Sequence, residues 1–168
     1  AKYADTAPRV VETDDRGDLY VIDGMKRTIP MGLVAAAGQD PEKLNTKAKY
    51  ADLPQSGYDA NFRIADQNRD GVSAEVIYPS VGMVLCNHPD FDYKKAAMDA
   101  YNRWIAEYCS VDPRRLLALG QTPMRSPQEG IADLEKMKAM GMRGVMLPGE
   151  PAQEDWDSPI YGEFFDAC

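Results

Sequence analysis

Three times along the chain a helical pattern closes, a short apolar run follows, and a proline ends it. In Asp70-Gly-Val-Ser-Ala-Glu-Val-Ile-Tyr-Pro-Ser80, Gly71 caps a helix, Ser73 to Tyr78 reads as a strand and Pro79 stops it. Arg114 to Pro123 and Gly141 to Pro148 repeat the arrangement, with strands predicted at Leu116 to Gly120 and Gly144 to Leu147. Strands covered on both faces read as near-continuous apolar runs, and such runs alternating with helices form parallel βα units. The pattern therefore predicts a piece of a parallel α/β sheet or barrel.

The helices are legible from caps and periodicity. Asp59 to Asp70 has Asp59 as N-cap and Gly71 where a left-handed cap residue is wanted. Asp92 to Cys109 places Tyr93, Ala97, Tyr101, Trp104 and Tyr108 at three- and four-residue steps. That spacing makes them the core face and leaves Lys94, Lys95, Asp99, Arg103 and Glu107 to solvent. Ser126-Pro-Gln-Glu129 is a capping box, opening a helix that runs to about Met140 with Ile131, Leu134 and Met137 inward. Ser158-Pro159 begins another, with Ile160, Tyr161, Phe164 and Phe165 on its apolar face.

The N-terminal part reads differently. Arg9 to Ile22 holds two β-prone runs around Thr-Asp-Asp-Arg-Gly-Asp, which predicts a hairpin, and Asp23-Gly24 gives a second turn. Met31 to Gly57 keeps no period and is expected to be an extended loop with one short helix. The division expected is 1–57, hairpin and loop, and 58–168, βα units, the two together forming one structural domain.

Length and charge narrow the picture. A complete (β/α)8 barrel needs roughly 250 residues, and the chain has 168. It begins without Met and stops in a newly begun helical segment, so it is read as a stretch of a longer enzyme. A net charge of −8 without a long basic run argues against nucleic acid as a partner. No apolar run is long enough to span a bilayer and no signal-peptide core is present, so neither a membrane nor secretion is expected. Cys86, Cys109 and Cys168 are widely spaced and odd in number, which points to a reducing cytoplasm and not to a disulfide or zinc framework.

Candidate chemistry is sparse. Asp66-Gln-Asn-Arg-Asp-Gly71 begins like a calcium loop, but the twelfth position is Ile77 where a bidentate Glu is needed. It reads as an ordinary helix end. His88, the one histidine, lies in Cys86-Asn-His-Pro-Asp90. Three ligands within five loop residues are cramped for a metal, so His88 either touches substrate at a pocket mouth or lies in an inert surface loop. No Ser-His-Asp set, nucleophile elbow or phosphate-binding glycine motif is present. In parallel α/β folds active groups gather at the carboxyl ends of strands, here Tyr78 to Ser80, Gln121 to Arg125 and Pro148 to Glu150. Glu75, a lone carboxylate within a strand, needs a partner.

Several stretches together resemble one family. Tyr58-Asp59, Arg69-Asp-Gly-Val-Ser-Ala-Glu-Val-Ile-Tyr-Pro-Ser80, Ala100-Tyr-Asn-Arg-Trp-Ile-Ala-Glu-Tyr108, Asp112-Pro-Arg-Arg-Leu116 and Gly141-Met-Arg-Gly-Val-Met-Leu-Pro148 are similar to the amidohydrolase-related proteins. That branch of the metal-dependent hydrolase superfamily includes aminocarboxymuconate-semialdehyde decarboxylase. The resemblance implies a distorted TIM-type (β/α)8 barrel with a divalent metal, usually zinc, held by a His-x-His, a later histidine and a late aspartate. None of these ligands can be placed in this chain, so no catalytic or metal residue is carried over. The segments present would be about strands two to four with their helices, plus a rim hairpin.

The expectation is then a partial barrel from an enzyme whose metal-activated water hydrolyses a C–N or ester bond, or which decarboxylates a small aromatic or unsaturated acid. The chain alone would be inactive. Tyr78, Ser80 and His88 are the pocket candidates. A small-molecule substrate is implied, with a homo-oligomer or the remainder of the same polypeptide as partner. The rival expectation is a self-contained α/β binding module, or a non-catalytic subunit of a larger assembly.

Overall fold

A computed structural model describes residues 2–36, 38–45 and 47–168, without the side chains of Leu33 and Val81. Ala37 and Thr46, both within the expected extended loop, lie outside the described residues. The chain divides into two compact units, Ala1–Arg63 and Ile64–Cys168.

The first unit is an antiparallel meander. β1 (Arg9–Val11) pairs with β2 (Leu19–Val21), which pairs in turn with β3 (Ile29–Pro30), a strand that two residues were too few to announce. The turn after β1 needs Gly17. Its φ is +74°, and a Cβ there would come within 2.4–2.7 Å of the Lys47 and Ala48 backbone. Asp18 ties the following segment down. Its carboxylate accepts from the Tyr50 N–H at 2.7 Å and pairs with Lys49 at 3.2 Å, and the Tyr50 N–H, ahead of Lys49, holds it below the usual carboxylate range. The expected loop contains α1 (Met31–Val34) and three single 3-10 turns at Pro41–Lys43, Tyr50–Asp52 and Gln55–Gly57.

The second unit is a parallel sheet. β4 (Glu75–Ile77), β5 (Leu116–Gln121) and β6 (Gly144–Met146) lie in that order, all parallel. α2 (Ala60–Asp70) ends at Gly71, whose φ of +71° stops the helix. Gln67 of α2 donates to Glu75 at 2.8 Å, supplying the partner that this carboxylate needed. α3 (Phe91–Cys109) starts one residue before the expected Asp92, because Asp90 is the N-cap and accepts from both Asp92 N and Tyr93 N. α4 (Pro127–Ala139) keeps half of the capping box: Ser126 accepts from Glu129 N, while the Glu129 carboxylate takes the Arg125 N–H. α5 (Gly162–Ala167) follows a 3-10 turn and buries Tyr161 and Phe164 with Met124.

The sheet corrects one expectation, since only one face is covered. Leu116, Ala118 and Gly120 of β5 are buried, and a Cβ on Gly120 would meet the sulfurs of Met137 and Met142. Val145 of β6 packs into the Met124, Tyr161 and Phe164 cluster. The opposite face carries Val76, Tyr78, Leu117, Leu119, Gly144 and Met146 by strand alternation and register. There Val76 is 50% and Tyr78 58% exposed and the other four are half-buried, while Gln121, at the end of the same face, is buried.

The inward face of α3 is also rotated from the one expected. Lys94, Met98, Asn102, Ile105 and Cys109 line the buried stripe with Tyr93 and Tyr108, whereas Trp104 is exposed and Tyr101 half-buried. No helix among the described residues is long and apolar enough to cross a membrane.

Candidate functional site at the carboxyl ends of the strands

The site begins where β4 stops. Glu75 N donates to Arg115 O at 2.8 Å, so the odd-numbered backbone groups of β5 face β4. Continued along that ladder, the Leu119 carbonyl would meet the N–H of residue 79. That residue is Pro79, which has none. α3 takes over instead. The Tyr101 hydroxyl donates to Leu119 O at 3.2 Å, and burial raises this phenol well above its ordinary range. One residue on, Asn102 replaces a strand: its Nδ2 donates to Gln121 O at 2.9 Å and its Oδ1 accepts from Gln121 N at 2.8 Å.

Gln121 is thereby fixed at the end of the central strand and is 1% exposed. Alternation puts its side chain on the face of Leu119 and Met146. Its Nε2 donates to the Gly82 carbonyl at 3.1 Å, within the 3-10 turn Val81–Asn87, and lies 3.9 Å from Cys86 Sγ. Its Oε1 is buried and has no donor among the described residues. The same turn is anchored by Lys94, whose Nζ donates to Cys86 O at 2.9 Å and lies over the Phe91 ring. Burial holds Lys94 below the usual lysine range, and burial pushes the Cys86 thiol up against the pull of that ammonium.

The next residues turn to the helices. Thr122 donates to Asp133 Oδ2 at 2.9 Å, and Asp133 Oδ1 takes Lys95 at 2.8 Å. Burial works against the Lys95 charge, but hydrogen bonds donated to Asp133 and Asp99 outweigh it and keep the ammonium above its ordinary range. Met124 adopts φ +50°, which re-aims the chain into Arg125, and Arg125 reaches Asp92 at 2.9 Å. A cleft of about 450 Å³ lies beside this network, lined by Asp99, Asn102, Arg103, Asp133 and Lys136 of α3 and α4. It belongs to the helix layer.

The three residues singled out from the sequence differ in their surroundings. Tyr78 and Ser80 are exposed. His88 is buried, with Nδ1 accepting from Asp90 N at 3.1 Å and the ring stacked on Tyr93 at 4.4 Å between centroids, so it is not a surface-loop residue. Gln121 and Asn102 were missed. The Gln121 to Arg125 stretch was marked by its place after a strand, but nothing in the letters tells that Asn102 substitutes for a missing strand. A metal does not fit the residues present: among those described, no group of three His, Cys, Asp or Glu side chains could hold one, and the His88 Nδ1 is already engaged. Among the described residues no disulfide joins Cys86, Cys109 or Cys168.

No family model matches the chain. Among curated proteins, 2-amino-3-carboxymuconate-6-semialdehyde decarboxylase of Dictyostelium discoideum is 25% identical over 126 residues, 71% of this chain and 33% of that protein. The chain thus spans about a third of the curated relative it matches. Among solved structures, an amidohydrolase from Mycobacterium avium subsp. paratuberculosis aligns over 87% of this chain and 43% of its own, with a TM-score of 0.59 and 19% identity. A 5-carboxyvanillate decarboxylase from Novosphingobium aromaticivorans, solved with manganese and 3-methoxy-4-hydroxy-5-nitrobenzoic acid bound, aligns over 62% of this chain and 30% of its own, with a TM-score of 0.53 and 20% identity. These two likenesses show a shared fold.

Proposed function

We propose that this chain, which belongs to the amidohydrolase-related family of the metal-dependent hydrolase superfamily, supplies consecutive staves of a (β/α)8 barrel enzyme. Its reaction is the decarboxylation of a small aromatic or unsaturated acid or the hydrolysis of a C–N or ester bond. The observation that carries this reading is the one-sided sheet. Parallel sheets occur almost only with both faces covered, and here an apolar face bearing Val76 and Tyr78 stands open. In a barrel that face is the interior, filled by side chains of the remaining strands. The self-contained module is disfavoured by the same face, which such a module would have to cover itself.

The complete enzyme holds a divalent ion, zinc or manganese, on ligands outside these residues, and the carboxyl ends of β4 to β6 form one wall of its pocket. Elemental analysis of the full-length protein tests this together with an assay for carbon dioxide release from hydroxybenzoates and for cleavage of aryl amides and esters. Roughly one divalent ion per chain, with turnover lost on chelation, is expected. A metal-free protein after expression with added zinc and manganese, inert toward all three substrate classes, would refute it.

A further inference from the structure

We propose that the Gln121 carboxamide is a ligand-binding group of this pocket, its Oε1 accepting a hydrogen bond from a hydroxyl or amino group carried by the bound acid. Two independent observations meet here. By place, Gln121 is the last residue of the central strand and lies on the face of Leu119 and Met146, where the Val81–Asn87 turn covers it, at the end of a parallel sheet where ligands bind. By chemistry, Oε1 is a buried acceptor without a donor among the described residues. Such a group is costly to leave unsatisfied, and native cores seldom keep one without a use.

The orientation of the amide is not arbitrary. Exchanging its O and N would set two acceptors against each other at the Gly82 carbonyl, 3.1 Å away, so the nitrogen is committed and the oxygen is left over. Nor can the backbone shift to relieve it, because Asn102 holds both the N–H and the C=O of Gln121. Gly82 lies close against the oxygen, where only a residue without a side chain fits: a Cβ there would lie 2.6 Å from Oε1. A rigid acceptor set beside a residue without a side chain suits a hydrogen-bond donor of the ligand, and it discriminates by leaving Oε1 unpaired when that donor is missing.

This rests on the reading of the chain as part of an acid-binding barrel enzyme, and the test separates the two. In the manganese-loaded full-length protein, calorimetry compares 2-hydroxybenzoate with 2-methoxybenzoate, which lacks the O–H. Wild type is expected to favour the hydroxy acid about tenfold, and Gln121→Met, similar in volume, to reduce that preference to about twofold or less. Its melting temperature should change little, since removing the orphaned acceptor offsets the lost bond to Gly82 O. A glutamine that merely braces the Val81–Asn87 turn through Gly82 would instead lower the melting temperature and leave the preference intact, which would overturn the proposal. Gln121→Leu covers the case in which the methionine variant does not fold. It also lacks the acceptor, so it should lose the preference too, and a preference kept there would overturn the assignment. Wild type binding both acids equally refutes the role of Gln121 alone, whereas wild type binding neither refutes the acid-binding reading and this role with it.

Discussion

One sheet carries two unlike faces made of similar residues. On the covered face Leu116 is 1% exposed, and Ala118, Gly120 and Val145 pack under α3 to α5. On the other, Leu117, Leu119 and Met146 are half-buried while Val76 and Tyr78 face water. Both sets are apolar, so composition along a strand does not say which neighbours cover it. The difference is energetic. Removing methylenes from a closed site costs their transfer free energy plus a cavity, whereas on an open face water fills the gap.

The largest test of that comparison sets two adjacent leucines against each other. Leu116→Ala should destabilise the chain by roughly 3 kcal/mol in urea titration, and Leu117→Ala by less than about 1 kcal/mol. Equal losses would mean that the two faces are equally covered. Next comes Asn102→Ala, which leaves Gln121 N–H and C=O without partners and should cost about 2 kcal/mol. Asn102→Asp keeps the acceptor for Gln121 N but sets a buried carboxylate oxygen against the Gln121 carbonyl, so it should cost at least as much as alanine.

These residues also mark where the sequence stops being informative. The strands and their parallel order were legible because glycine and proline punctuate the apolar runs at Gly71, Pro79, Pro123, Gly141 and Pro148. The covering of one face only was not, since an interior strand and a half-open one share the same letters. α3 misled for a different reason. Periodicity assigns inward positions by hydropathy, and it turned Trp104 in and Lys94 out. Polar side chains decided otherwise, because Lys94 and Asn102 satisfy the Cys86 carbonyl and the Gln121 backbone. His88 misled similarly, as stacking on Tyr93 buries a ring that its polar neighbours suggested was exposed. The candidate site was legible as a place, the carboxyl end of β5, but its key group depends on a missing Pro79 N–H that only the register reveals.

A smaller contrast uses glycines. A Cβ on Gly120 would lie 2.5 Å from the Met137 sulfur and 2.7 Å from that of Met142, and Met137 is itself enclosed. Gly120→Ala should therefore cost about 1–2 kcal/mol through overpacking. On the open face a Cβ on Gly144 would meet only Leu119 Cδ2, at 2.8 Å. Leu119 can turn toward solvent, so Gly144→Ala should stay within about 0.5 kcal/mol of wild type by thermal melting.

The smallest expected effect is the most discriminating. Tyr78 is 58% exposed on the open face, so in this 168-residue chain Tyr78→Ser removes little buried area and should change stability by no more than about 0.5 kcal/mol. It also takes an aromatic ring off an uncovered apolar surface, which should raise the concentration at which the chain precipitates. In a longer protein that closes the barrel, the same ring enters a packed interior, and its loss should cost roughly 3 kcal/mol. The comparison is thus between one substitution in two lengths of chain, measured by urea titration. A small effect in the short chain and a large one in the long chain is what an interior face left open requires. The same small effect in both would mean that Tyr78 stays in water however much chain is present, and the barrel reading would lose its support.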